Sequence, residues 1–152
     1  MDKILHHTIR LNCHQNKAFD MFTQNKHLQS WLCALADVEP KVSGRYELFW
    51  NPEDRENDSN IGCRVTAIEP DKFLSFEWKG PKQYKHFMNN ADPLTHVTVF
   101  FIPCNGKDCS TTEVHLVHSG WRNTPEWEEA RQWFEKAWGM AFEELEKYVN
   151  SQ

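Results

Sequence analysis

The sequence predicts an α+β fold in which a run of antiparallel strands packs against one long amphipathic helix. Three observations carry that prediction. Between residues 38 and 118 apolar side chains recur at period two, in short runs separated by turn signals, as half-buried strands require. Between residues 124 and 148 they recur at threes and fours, as one buried helix face requires. At 152 residues and 18.0 kDa, the chain is expected to form a single domain over residues 1–152. Folding a chain of this mass buries roughly 69% of its unfolded surface, so a core needs no disulfide or metal staples.

Residues 4–11 read as the first strand, with His7, Ile9 and Leu11 on one face. Residues 16–22 read as a short helix burying Ala18, Phe19 and Phe22. A second short helix follows, capped by Asn25, with Leu28, Trp31 and Leu32 turned inward. Residues 38–42 make a weak strand, placed at an edge because Pro40 cannot donate to a ladder. Ser43-Gly44 turns the chain into a strand in which Tyr46, Leu48 and Trp50 alternate with Arg45, Glu47 and Phe49.

The polar run 51–60 is a loop. Cys63, Val65 and Ala67 then alternate with Arg64, Thr66 and Ile68. Beyond the Pro70-Asp71 turn, Leu74, Phe76 and Trp78 oppose Ser75, Glu77 and Lys79. Residues 80–93 lack strand periodicity and form the longest candidate loop or lid, with Pro81, Tyr84, Phe87 and Met88 inside it. Residues 94–102 are strongly β, Val97, Val99 and Phe101 facing one way and His96, Thr98, Phe100 and Ile102 the other. Asn105-Gly106 signals a hairpin into a last strand over residues 111–118.

The last helix has the clearest start. Thr124 suits the N-cap, Pro125 the first helical position, and Glu126, Glu128 and Glu129 the positive end of the helix dipole. Its expected stripe is Trp127, Ala130, Phe134, Ala137, Ala141, Leu145 and Tyr148, broadened by Trp133, Trp138 and Phe142.

Composition excludes several functions. With 17 basic against 22 acidic residues the net charge is −5, which argues against a phosphate-tracking nucleic-acid binder. No apolar run is long enough to span a membrane. The first residues lack the basic-then-apolar pattern of a signal peptide, so a cytoplasmic location is expected. Five cysteines, Cys13, Cys33, Cys63, Cys104 and Cys109, lack the paired spacing of a zinc site. A hairpin disulfide between Cys104 and Cys109 is conceivable, but free thiols are expected. His115 and His118 fall on opposite strand faces and cannot share a metal. No metal or cofactor is expected. Aromatic content is high, with seven Trp, ten Phe and three Tyr, as in ordinary cores, ligand cavities and interaction faces alike.

The element order resembles the helix-grip fold of the START, polyketide-cyclase and birch-pollen-allergen (SRPBCC) superfamily. The resemblance implies a curved antiparallel sheet of six to seven strands wrapped around the C-terminal helix, often with a cavity between them. One branch is more similar still: the family related to the C-terminal domain of the activator of heat-shock protein 90 ATPase. The stretches that carry it are Ala18-Phe19 through Trp31-Leu32, Ser43 to Leu48, Leu74 to Trp78, Leu94 to Val99, His118-Ser119-Gly120-Trp121 and the Trp-rich last helix. Ser43-Gly44 departs from the two glycines that relatives often carry.

Three functions follow as expectations. The first is non-catalytic binding of an apolar or amphipathic small molecule between sheet and helix. Trp50, Phe76, Trp78, Val97, Val99 and Phe101 would supply strand walls, opposite Phe134, Ala137 and Ala141 on the helix and Trp31 beside it. His115, on a face with Glu113 and Val117, would bond a polar head group. The second is a chaperone-associated interaction module, implied by the resemblance, with Trp121 and Trp127 as a partner patch. The third, a cyclase- or hydrolase-like enzyme, would draw on Glu77, Glu113, His115 or Tyr46. No Ser-His-Asp order, phosphate loop or HExxH motif supports it, and no catalytic residue is assigned.

Overall fold

The structure is a computed structural model, and it describes residues 3–105 and 110–151. The chain runs β1 (Leu5–Leu11), α1 (Gln15–Thr23), α2 (Asn25–Trp31), β2 (Leu35–Val38), β3 (Tyr46–Phe49), β4 (Val65–Glu69) and β5 (Phe73–Trp78). A single turn of tight helix (Lys82–Tyr84) leads into α3 (Lys85–Met88). Then come β6 (Thr95–Pro103), β7 (Thr112–Ser119) and the long α4 (Pro125–Asn150). Five strands pair antiparallel in the order β1-β7-β6-β5-β4, and β2 pairs with β3 beside them.

Where a sheet of six to seven strands is expected, the seven observed strands divide into five and two. Backbone bonds tie the two groups together: Tyr46 N–H donates to the Cys63 carbonyl (2.9 Å), and an Arg45–Arg64 bridge continues the line. This arrangement is a helix-grip fold, with α4 lying against β1 and α2.

Several local expectations shift by a few residues. The edge strand lies at Leu35–Val38 rather than at residues 38–42. Past it the backbone turns, with Lys41 N–H donating to Glu39 C=O (2.7 Å) and Gly44 N–H to Lys41 C=O (2.9 Å). Gly44 is required there, because a Cβ would lie 2.3 Å from the Glu39 carbonyl oxygen. Asn25 does not cap α2; its Oδ1 accepts the Val38 N–H at 3.0 Å, and Gln24 holds the cap position. A bulge between Val65 and Ala67 reverses the alternation in β4, so Ile68 packs against the core in place of Ala67.

Residues 80–93 are not plain loop. Met88 is fully buried, and Gly80 N–H donates to Asn89 Oδ1 at 2.8 Å. A side chain at residue 80 would meet Met88 Sδ at 2.6 Å.

In α4 the Thr124 hydroxyl accepts the Trp127 N–H at 3.3 Å, as the capping residues predict. The buried stripe is Trp127, Ala130, Phe134, Trp138, Phe142, Leu145 and Val149. Trp138 and Phe142 are therefore central to it, while Ala137 and Ala141 sit at its margin. Tyr148 is half-buried, its hydroxyl bonded to His27 Nδ1 at 2.8 Å.

Cys13, Cys33 and Cys63 are buried free thiols, as expected, and burial pushes Cys33 and Cys63 up to about 12. Cys104 departs from the free-thiol expectation: it is disulfide-bonded. Cys109 and the Gly106 half of the hairpin signal lie outside the described residues. Among the described residues no helix is long and apolar enough to cross a membrane.

Candidate functional site

Where the end of β5 meets the middle of α4, the layers do not close. A cavity of about 820 Å³ remains between them. Its inner wall is Trp78, whose side chain follows Leu74 and Phe76 on the inward face of β5. Trp138 stands across from it with ring centroids 5.0 Å apart and planes at 47°. Trp50 meets Trp78 edge-on at 6.0 Å. Trp31 enters from α2, its Nε1–H already donating to the Met21 carbonyl at 2.9 Å.

The gap exists because of helix geometry. Ala137 and Ala141 are one turn apart on the same side of α4, and neither reaches across toward the sheet. Five of the seven tryptophans line the cavity: Trp31, Trp50, Trp78, Trp133 and Trp138. Trp50, Trp133 and Met140 are exposed and mark its open side.

Charges on the wall balance, with Lys79 and Lys136 against Asp58 and Glu144. Lys79 Nζ donates to the Ile61 carbonyl at 2.5 Å. Asn60, at the end of the polar loop, is 1% exposed and is among the residues around the cavity.

Behind the aromatic wall lies His118, the buried histidine of β7. Trp138 Nε1–H donates to its Nδ1 at 3.1 Å, so Nδ1 is unprotonated and Nε2 carries the hydrogen. Nε2–H then donates to Thr95 Oγ1 at 3.0 Å, and the Thr95 hydroxyl to the Trp78 carbonyl at 3.2 Å. The Trp121 and Phe134 rings pack on the imidazole. Burial, with a smaller contribution from His96, lowers the His118 pKa to about 3. This neutral relay ties two cavity walls, β5 and α4, to a common anchor.

The structure brings together half of the predicted cavity residues. Trp31, Trp50, Trp78, Phe134, Ala137 and Ala141 line the cavity. Phe76, Val97, Val99 and Phe101 face inward but are consumed by packing. Phe76 stacks on Tyr46 at 3.7 Å, and Phe101 meets Phe19 and Phe22 edge-on. His115 and Val117 are on the outer face of β7, because Val114, Leu116 and His118 occupy the inner one. His115 Nε2 donates to Glu113 Oε1 at 2.5 Å, and its Nδ1 lies 2.8 Å from His6 Nε2.

Trp121 and Trp127 do not form an exposed patch: they are 6% and 7% exposed. Trp121 Nε1–H donates to the His118 carbonyl, and Trp127 packs on Phe87 and under the Arg122 guanidinium. None of the acid–base candidates lines the cavity. Glu77 accepts the Arg64 N–H on the outer side, and the buried Tyr46 hydroxyl donates to Phe22 C=O at 2.7 Å. Trp138 was legible as a wall residue, since it lies four residues from both Phe134 and Phe142. Asn60 was not, since polarity alone places it in solvent.

The fold and its cavity define a helix-grip protein of the SRPBCC superfamily. The family model described as activator of Hsp90 ATPase homolog 1-like protein matches residues 12–150, and the chain belongs to that family. A protein from Mesorhizobium loti superposes with a TM-score of 0.75 at 21% identity, covering 99% of this chain and 98% of its own. An HSP90 activator from Plasmodium falciparum superposes at 0.64 and 21% identity, covering 89% and 86%. The Aha1 dimer from Colwellia psychrerythraea superposes at 0.67 and 14% identity, covering 97% and 96%. At these identities the likeness concerns the fold. No curated protein matches the sequence.

Proposed function

We propose that this protein binds an apolar or amphipathic small molecule, without covalent chemistry, in the cavity between β5 and α4. The observation that carries the reading is the tryptophan lining. Five large rings line a space of about 820 Å³, with Trp78 in contact with Trp50 and Trp138 along its inner wall. Close-packed interiors leave few voids larger than a water molecule, whereas ligand sites of several hundred cubic ångströms with aromatic walls and few polar groups are common.

A thermal-shift screen against sterols, fatty acids, flavonoids and polyketide-like aromatics tests it. A ligand at 100-fold its dissociation constant adds about 2.7 kcal/mol, which raises the midpoint of a domain this size by roughly 5–10 °C. Ala141→Trp fills the space from the margin of α4 and abolishes the shift while the protein stays folded. A shift that persists in Ala141→Trp places the ligand elsewhere.

A second reading, a chaperone-associated module, is supported by family membership and by the likeness to the Plasmodium HSP90 activator. Its test is a pull-down with heat-shock protein 90. With Trp121 and Trp127 buried, any contact surface lies elsewhere on the molecule.

A further inference from the structure

Beside its buried stripe, α4 carries a second apolar one that the fold leaves uncovered. Trp133, Ala137 and Met140 follow at spacings of four and three, so they share one side of the helix. Seven other side chains of α4 are buried against the rest of the fold. Trp133, by contrast, is 39% exposed and Met140 68%. Tyr84 and Phe134 meet the Trp133 ring on part of its surface, and the rest faces solvent. Contiguous exposed apolar surface with a polar rim marks a contact site, and Trp and Met are enriched in such sites.

The rim is charged in a way that complements itself. Lys136 precedes Met140 by four residues and Glu144 follows it by four. Each therefore lies about 6 Å from Met140 along the helix axis, one on either side. Lys136 is exposed, and among the described residues it has no ion-pair partner. Glu144 meets its own Lys147 at 3.4 Å through Oε1, which leaves Oε2 to accept elsewhere.

We propose that this stripe is where two copies of the chain associate, α4 against α4, antiparallel about a twofold axis at Met140. Such an interface is isologous, so every contact is made twice. Lys136 meets the partner's Glu144, and Glu144 meets the partner's Lys136. Met140 packs on the partner's Met140, and the small Ala137 beside it lets the helices approach closely. Trp133 lies beside the partner's Lys147, which sets a cation against an indole face. A parallel pair would instead oppose Lys136 to the partner's Lys136 and align the two helix dipoles. Trp133 and Met140 also mark the open side of the cavity, so the second copy covers it. The proposal stands on the surface of α4 and is independent of what the cavity holds.

Sedimentation equilibrium of the purified protein, from micromolar to low-millimolar concentration, tests it. The expected mass rises with concentration from the 18.0 kDa of one chain toward twice that value. Met140→Glu sets two carboxylates face to face at the centre and weakens association by about tenfold or more. Its side chain lies in solvent in the single chain, so the variant folds, which circular dichroism checks. Lys136→Glu and Glu144→Lys each oppose like charges and weaken the dimer in the same direction. Mixed in equal amounts they restore it, because each variant then meets its opposite. If Met140→Glu does not fold, the charge variants decide alone.

The mass of one chain at every concentration overturns the proposal and leaves the stripe to a different partner. A dimer indifferent to Met140→Glu places the contact elsewhere and overturns it too. Charge variants that dimerise as well as the unaltered chain, or that do not recover on mixing, overturn the antiparallel arrangement.

Discussion

At the scale of single residues, His118 explains why a polar group sits in the aromatic core. Three indoles, a hydroxyl and a phenyl ring enclose it, and its two nitrogens are both used. Its folded pKa of about 3 lies below the ordinary value near 6.5. The unfolded chain therefore binds a proton that the folded one refuses as pH falls between those values. The stability that His118 contributes is fully present above about pH 6.5 and is lost on acidification, by about 1.4 kcal/mol per pH unit once the unfolded histidine is charged.

His118→Asn keeps an acceptor for Trp138 and loses the donor to Thr95. It should cost about 1–3 kcal/mol at neutral pH and flatten the acid limb of stability. Urea denaturation of both proteins between neutral pH and about pH 4 checks this. Parallel curves would show that His118 is not the titrating group. The sequence placed His115 and His118 on opposite faces correctly. The expectation turns the His115 and Val117 face inward and the structure turns it outward; the pattern does not decide between them, because Glu113, His115 and Val117 alternate as well as Val114, Leu116 and His118 do.

At the scale of elements, the strands with clean period-two patterns, β1, β5 and β6, were read from the sequence almost residue for residue. Their apolar and polar sides differ sharply, and nothing interrupts the pleat. Errors fell where backbone geometry overrides pattern. The bulge in β4 moved Ile68 inward, and the turn at Lys41–Gly44 ended β2 early. On α4 the start was legible from Thr124 and Pro125. The stripe was displaced by about one position, because Trp138 and Phe142 bury more area than the alanines beside them.

That displacement leaves Gly139 in mid-helix with nothing within 4 Å of an added Cβ. Gly139→Ala should therefore stabilise the protein by about 0.5–1 kcal/mol through the unfolded chain's lost freedom, with ligand affinity unchanged. A thermal melt and one binding isotherm decide it. A loss of stability would mean that another group approaches Gly139 closely in solution.

At the scale of the whole molecule, the proposed ligand site is a cost in stability. A space bordered by Trp31, Trp78 and Trp138 withholds dispersion contacts that a closed core would make, while the His118 relay ties the Trp78 and Trp138 walls together behind it. A side chain that enters the space from α4 should then do what a ligand does. Ala141→Leu adds methylene groups worth about 0.8 kcal/mol each when buried. At a margin position that is partly open, a gain of about 1 kcal/mol is expected, with a matching loss of ligand affinity. Destabilisation together with lost binding would show that the walls already touch and that leucine strains them. Destabilisation with binding intact would show that residue 141 points past the cavity. Only a gain in stability paired with a loss in affinity has the sign of a fold that keeps room for a second molecule at its own expense.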